Sequence, residues 1–182
     1  KALKKDLNVF LFSDGVPIND ESRLKRIARE RGLLVMGPEC GTSIINSIGL
    51  GFANKVKPGP IGIVGAAGTG TQQITVLIDK EGLGVSNAIG VGGRDLSVKI
   101  GGISTLQAME LLEDDKDTKV IILASKPPAP QIAEKTLKKV ASCKKPVVVN
   151  FLGQNEKLIV KYRAIPANTL EEAALKAVRM VK

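Results

Sequence analysis

Short β-branched runs that alternate with helix-like segments constrain this chain more than any other feature. The runs are Ile61 to Val64, Val85 to Ile89, Val120 to Ala124, Val147 to Phe151 and Tyr162 to Ile165. Helix candidates lie between or after them at Thr71 to Glu81, Thr105 to Glu113, Pro130 to Ala141 and Leu170 to Val181. Strands separated by helices are joined by crossovers, so they run parallel and carry helices on both faces of their sheet. The expected fold is α/β, a flavodoxin-like doubly wound parallel sheet with its ligand crevice at the carboxyl ends of the strands. Thr169 to Glu172 has capping-box spacing, in which the Thr oxygen and the Glu carboxylate satisfy each other's free amides.

Upstream, Asn8 to Phe12 reads as a strand, Asp20 to Arg31 as a basic helix, and Leu33 to Met36 as a second strand ending at Gly37-Pro38. Three such elements do not bury a sheet face by themselves. Residues 1–37, which open on a strand without an initiator Met, are therefore expected to be the end of a larger domain. The Lys55 to Pro60 segment breaks any helix, because Pro disfavours helical geometry in the residue before it. It marks 38–59 as a connecting segment and 60–182 as the main domain.

Two absences restrict the chemistry. With no His, the chain has no imidazole for nucleophile activation, for a His-containing metal site or for carrying a phosphoryl group. Its two cysteines, Cys40 and Cys143, have neither metal-ligand nor disulfide-framework spacing, so no metal is expected. Cys40 sits beside Glu39, which does nothing to favour a thiolate, and is read as non-nucleophilic. The balance of 27 Lys and Arg against 18 Asp and Glu is spread along helices, with one Tyr, four Phe and no Trp for base stacking. It reads as solvated helix faces, and no nucleic-acid partner is expected. No apolar run approaches the roughly 20 residues that cross a bilayer. No membrane partner is expected, and with no leader at its start the chain is expected in the cytoplasm.

The strongest local signal is Ile61-Gly62-Ile63-Val64-Gly65-Ala66-Ala67-Gly68-Thr69-Gly70-Thr71, a strand entering a helix through a glycine-rich loop. Small residues let an anion approach the first amides of the helix, behind which stands the positive end of its dipole. Gly65, Gly68, Thr69, Gly70 and Thr71 are thus candidate phosphate ligands. The spacing matches neither a Walker A loop nor the dinucleotide fingerprint, and a tight packing turn would also need small residues there. Gly90 to Asp95 follows the next strand and falls on the same sheet edge. It brings Gly92, Gly93 and the guanidinium of Arg94, which could equally pair with Asp95. The stiff Ser125 to Pro130 loop offers Lys126 to that crevice or to solvent.

The ordered set Gly37-Pro38-Glu39-Cys40-Gly41-Thr42, Gly62 to Thr71, Gly92-Gly93 and Lys145-Pro146-Val147-Val148 resembles the alpha subunit of succinyl-CoA synthetase and the wider acyl-CoA synthetase superfamily. In that family a Gly-Pro-Asn-Cys-Pro-Gly turn joins a Rossmann-like CoA-binding domain to a flavodoxin-like ligase domain. The resemblance covers essentially the whole chain. It implies that residues 1–37 end the CoA-binding domain and that 60–182 form the ligase domain. The departures are specific: the family's phosphohistidine is absent, Lys126 replaces the Glu that supports it, and Ala66 replaces the Arg of the phosphate loop. Gly92 to Ser97 and Ser125 to Pro130 resemble the FdrA-like branch, which is linked to oxamate carbamoyltransferase.

The resemblance implies a subunit that handles an acyl or carbamoyl phosphate, or CoA, without phosphohistidine chemistry. Phosphate would bind at Gly68 to Thr71, with Arg94 and Lys126 neutralising developing charge. The expected partners are a small anionic substrate and a partner subunit or further copies of the chain. A non-catalytic CoA-binding or scaffolding subunit would fit the loss of the carrier His equally well. No general base is evident in the crevice.

Overall fold

The computed structural model describes all residues from Lys1 to Lys182. The chain begins with a small lobe: a 3-10 turn (Ala2–Lys5), β1 (Val9–Phe10), α1 (Ile18–Glu30) and β2 (Val35–Met36). β1 and β2 pair in parallel, and Leu3, Ala28, Leu33 and Val35 form a cluster of their own beneath α1. There follow β3 (Thr42–Ile45), β4 (Ile48–Gly51), β5 (Pro58–Gly65), α2 (Gly68–Lys80), β6 (Val85–Gly90), α3 (Ile103–Asp114), β7 (Val120–Ser125) and α4 (Pro130–Ser142). The chain closes with β8 (Val147–Phe151), α5 (Glu156–Lys161), β9 (Ile165–Pro166) and α6 (Leu170–Arg179).

The main sheet has the order β4-β3-β6-β5-β7-β8-β9. Its parallel part, renumbered from β5, reads 2-1-3-4-5, the flavodoxin order, so the strand order reverses at β5. Residues of β5 alternate between two cores. Ile61 and Ile63 pack with Ile74 and Ile78 of α2 and Ala173 and Ala177 of α6, while Val64 joins Met109 of α3 and Leu137 of α4 on the other face. Every residue of β7 and β8 is buried, as strands covered on both sides require.

Three expectations are corrected. Residues 38–59 are more than a connector: Thr42–Ile45 and Ile48–Gly51 form a hairpin through Asn46 and Ser47, both at positive φ, and β3 extends the sheet by pairing antiparallel with β6. The expected strand Tyr162 to Ile165 is displaced. Asn155 caps the short helix α5 by accepting the Lys157 amide, Tyr162 ends that helix, and only Ile165–Pro166 pair with β8. At Thr169 the hydroxyl does accept the Glu172 amide, but the Glu172 carboxylate accepts from the Asn168 amide, one residue before the expected donor.

The lobe is bound to the main domain by Leu34 and Met36, which enter the core on the α3 side, and by polar contacts to α3. The Gln107 side chain donates to Leu33 O and the Ser104 hydroxyl to Val35 O, while Arg29 forms an ion pair with Glu110. Deeper in, Lys25 of α1 is 1% exposed and donates to Glu21 Oε1 (2.9 Å), Val91 O (2.9 Å) and Asp95 Oδ1 (2.7 Å). Asp95 also accepts the amides of Ser104 and Thr105 and the Thr105 hydroxyl, and so caps α3. Truncating one member of such a buried set leaves an uncompensated charge, at a cost of about 3–5 kcal/mol. Lys25→Met is expected to lose stability on that scale in urea denaturation. Arg23→Ala, which breaks the exposed Asp20 pair, should hardly move the midpoint. Equal effects would remove the special role given to Lys25.

Candidate functional site

At the reversal point β5 ends at Gly65, and α2 begins at Gly68, three residues before the expected start. A Cβ on Gly65 would lie 2.0 Å from Thr71 Oγ1, so glycine is required there for the helix to close on its strand. Thr71, read as a ligand, faces inward: its hydroxyl and its amide both donate to Ala67 O, at 2.9 and 3.0 Å. Gly65 and Thr71 thus build the turn. The first-turn amides of Gly68, Thr69 and Gly70 are the ones that a helix leaves without internal acceptors. Thr69 is exposed, and the Ala67 cap supplies no side-chain acceptor. Gly68 and Gly70 have no positive φ, and a Cβ on either would make ordinary contacts, with Gly41 Cα and Leu170 Cδ1 respectively, both at 3.5 Å. Their smallness keeps the approach open, and no special backbone angle demands it.

The second glycine loop closes on the 37–41 turn. Gly92 has φ 88°, and a Cβ there would fall 2.2 Å from Pro38 O. At Gly93 a Cβ would stand 3.1 Å from Glu39 Oε2 and 3.8 Å from Ala66 O, which places the Glu39 carboxylate beside both glycine loops. Glu39 itself sits at φ 59° and is held by its amide's bond to Ser13 O. Arg94 turns away from open solvent toward the lobe. It donates to Val16 O (2.8 Å), lies 3.0 Å from Glu21 Oε2 and reaches 3.8 Å from Glu39 Oε1. The Glu21 contact is ionic without hydrogen-bond alignment. The considered Arg94–Asp95 pairing is replaced by Arg94–Glu21 and Lys25–Asp95. Two cations thus face three carboxylates in this network, and the charge of Arg94 is already balanced.

Lys126 follows β7 on the same edge, exposed and without a hydrogen-bond or ion-pair partner. The structure therefore brings the Gly65 and Gly92 loops together around Glu39, sets Lys126 on the neighbouring strand end, and commits Arg94 to the lobe. Sequence reasoning missed Glu39, although the signal was present as a Glu where the resembled turn has Asn. It also missed the edge-to-face pair of Phe12 and Phe52, with centroids 5.1 Å apart. Both rings are more than half exposed, and Phe52 lies beside Gly41, which itself packs on Gly68. No group of three or more His, Cys, Asp or Glu is arranged to hold a metal, and no helix is long and apolar enough to cross a membrane.

Cys40 is buried under this turn, with its sulfur 3.3 Å from Gly90 O and 3.5 Å from Ser43 Oγ. Burial raises the thiol above its usual range, against weaker lowering from Ser43 and Thr42. Cys143 is raised too, again mainly by burial, but is only partly covered. Iodoacetamide at pH 8 is expected to modify Cys143 well before Cys40 in the native chain, as read by mass spectrometry. Faster labelling of Cys40 would restore it as a nucleophile candidate.

A family model described as the CoA binding domain matches residues 56–153, just over half of the chain. The match falls on the main domain, outside residues 1–37. An uncharacterized protein, YahF of Escherichia coli K12, is 53% identical over 180 residues, which make up 99% of this chain and 35% of that protein. The ADP-forming succinate–CoA ligase alpha subunit 2 of Archaeoglobus fulgidus is 34% identical over 118 residues, 63% of this chain and 40% of that one. Among solved structures, ATP citrate lyase of Methanothrix soehngenii with citrate and coenzyme A superposes with TM-score 0.78 at 15% identity, over 96% of this chain and 35% of that one. The chain thus spans about a third to two fifths of the length of these proteins.

Proposed function

This chain belongs to the CoA-binding-domain family, and from that premise we propose that it is an acyl-CoA-synthetase-like subunit that holds an acyl or carbamoyl phosphate at the N-terminus of α2. The observation that carries the reading is the free first turn of α2, Gly68 to Gly70, opening at the strand-order reversal where doubly wound sheets take their ligands. The likeness to a succinate–CoA ligase alpha subunit supports the substrate class. The FdrA-like signatures in the sequence support carbamoyl transfer, with oxamate as one acceptor. Residues 1–37 would then end one domain and 60–182 form the ligase-type domain, and a partner subunit or further copies of the chain would complete the assembly in the cytoplasm.

A carbamoyl phosphate is a mixed anhydride and is already activated. In transfer, a bond forms between the acceptor atom and the carbonyl carbon. The bond from that carbon to the phosphate oxygen breaks, and phosphate leaves with the electron pair. The α2 amides face the charge that develops on phosphate, and Lys126 supplies a mobile cation from the adjacent strand end. Glu39 is the carboxylate placed to take the acceptor's proton. Arg94 acts as a positioning residue that holds the second glycine loop to the lobe. In place of that phosphate, a CoA molecule would set an anionic group at Gly68 to Gly70 and an apolar arm on the Phe12–Phe52 ledge. The engagement of Arg94 favours the second reading, a non-catalytic scaffold, in which these loops only pack.

The test is calorimetric affinity for phosphate and carbamoyl phosphate beside a denaturation curve for each variant. Gly68→Val is expected to weaken phosphate at least about ten-fold, equivalent to about 1.4 kcal/mol. Thr69→Val removes one hydroxyl and should cost about two- to three-fold, near 0.5 kcal/mol by the same relation. Both should keep most of the parent's stability, whereas Gly65→Ala should unfold more easily because of the Thr71 overlap. Parent-like phosphate binding by folded Gly68→Val would make the loop a packing turn and favour the scaffold. Because the chain contains no His, incubation with labelled ATP should leave no acid-labile phosphate on it. Stable labelling would mean that another side chain carries a phosphoryl group and would reject the carrier-free chemistry.

A further inference from the structure

We propose that the seam between the lobe and the main domain is a second binding site, for an uncharged, largely apolar small molecule carrying an amide or ring N–H. The seam forms a half-open cleft of about 550 Å³, within the range of roughly 300–1,000 Å³ typical of small-molecule sites, which favour domain boundaries. Phe10, Leu34 and Met36 of the lobe form one wall, with Leu50 of the hairpin and Ile89 and Leu111 of the main domain opposite. The chain has 27 Lys and Arg, yet none lines this cavity. The cavity is therefore unlike the α2 crevice and has no cation with which to meet an anion.

Its only ionisable lining group is Asp115. Burial pulls that carboxyl upward, but hydrogen bonds from the Thr118 hydroxyl, the Asp117 amide and the Asn87 side chain outweigh this and hold it below its usual range. It favours its ionised form, beside the Lys145 ammonium that Leu112 O holds just outside the lining, and gives an anion no donor. Apart from the exposed Asn46, the other polar side chains have a fixed sense, and Asn87 is already spent between the Asn46 amide and Asp115. Gln107, buried at 6% exposure, spends its Nε2 on Leu33 O at 2.9 Å, which leaves Oε1 as an acceptor. Asn8 accepts the Leu34 amide through Oδ1 at 2.9 Å, which leaves Nδ2 as a donor. Both side chains are anchored to the one peptide group that joins Leu33 to Leu34, so neither can turn over without breaking a bond to the lobe. Apolar walls, one oriented acceptor, one oriented donor and no cation select a neutral molecule with both kinds of hydrogen-bonding group.

Benzamide, benzoate and toluene form a matched probe set: neutral with donor and acceptor, anionic, and apolar only. In two-dimensional amide NMR of the chain, benzamide is expected to shift Gly32, Asn46 and Asn87 saturably, with affinity at least about ten-fold above benzoate and toluene. Leu111 lies on the wall and is 48% exposed, so Leu111→Trp can fill the cavity without entering the core. It should abolish the benzamide shifts and preserve the native spectrum elsewhere. Leu50→Trp fills the space from the hairpin and should act alike. Absence of saturable benzamide shifts overturns the site, as does equal binding of benzoate or retained binding in either folded Trp variant. Phosphate titration of Gly68 to Gly70 is independent of this result, so failure here leaves the α2 reading standing.

Discussion

The ammonium of Lys25 lies between two carboxylates and a carbonyl at the junction of lobe and main domain, and much of the candidate site depends on it. It holds Asp95 where that residue can also cap α3, and it donates to the carbonyl of Val91, the first residue after β6. The second glycine loop is thereby pinned at both ends. An ion set of this kind gives little net stability compared with apolar packing, but it penalises misplacement heavily. The lobe has only four buried residues in a cluster of its own, and its position is defined by Leu34 and Met36, which enter the main core, together with the polar bonds from Lys25 and to α3.

The glycines divide by what they do. Gly65 and Gly92 are there because a Cβ would strike Thr71 and Pro38, and they serve closure. Gly68 and Gly70 meet nothing tight, so closure does not explain them, and their effect is an unshielded helix start. A motif of small residues therefore combines two constraints that look identical in sequence. Only the neighbour of each missing Cβ separates them.

The parallel core was legible in sequence because its strands are short, β-branched and bounded by turns, and the helix between each pair forces the crossover. The flavodoxin order then followed from the fold class. The β3–β4 hairpin escaped because its turn, Asn46-Ser47, carries no glycine and because Gly41, Gly49 and Gly51 dilute its alternation. α5 escaped because six residues make too short a period to read, and its Asn155 cap is visible only once the Lys157 amide is seen to use it. Within the site, the glycine loops and Lys126 could be placed on one sheet edge from the strand order alone. Glu39 could not, since it comes from the 37–41 turn, and only the fold lays that turn across Gly93.

The fate of Arg94 changes the electrostatics of the crevice. From sequence it was either a crevice cation or a partner of Asp95, yet Glu21 and Glu39 share its guanidinium, and the local set sums to one net negative charge when Lys25 and Asp95 are included. An anion that binds there is held chiefly by oriented backbone amides and the helix dipole, with Lys126 as its single mobile cation. Fixed dipoles need no reorganisation as charge develops, whereas a flexible surface lysine is screened by salt and by water. A site built in this way suits a compact anion whose charge grows during reaction, such as a departing phosphate. In the proposed transfer, the same Glu39 that weakens the field for a resting anion would be the group that removes a proton from an incoming acceptor.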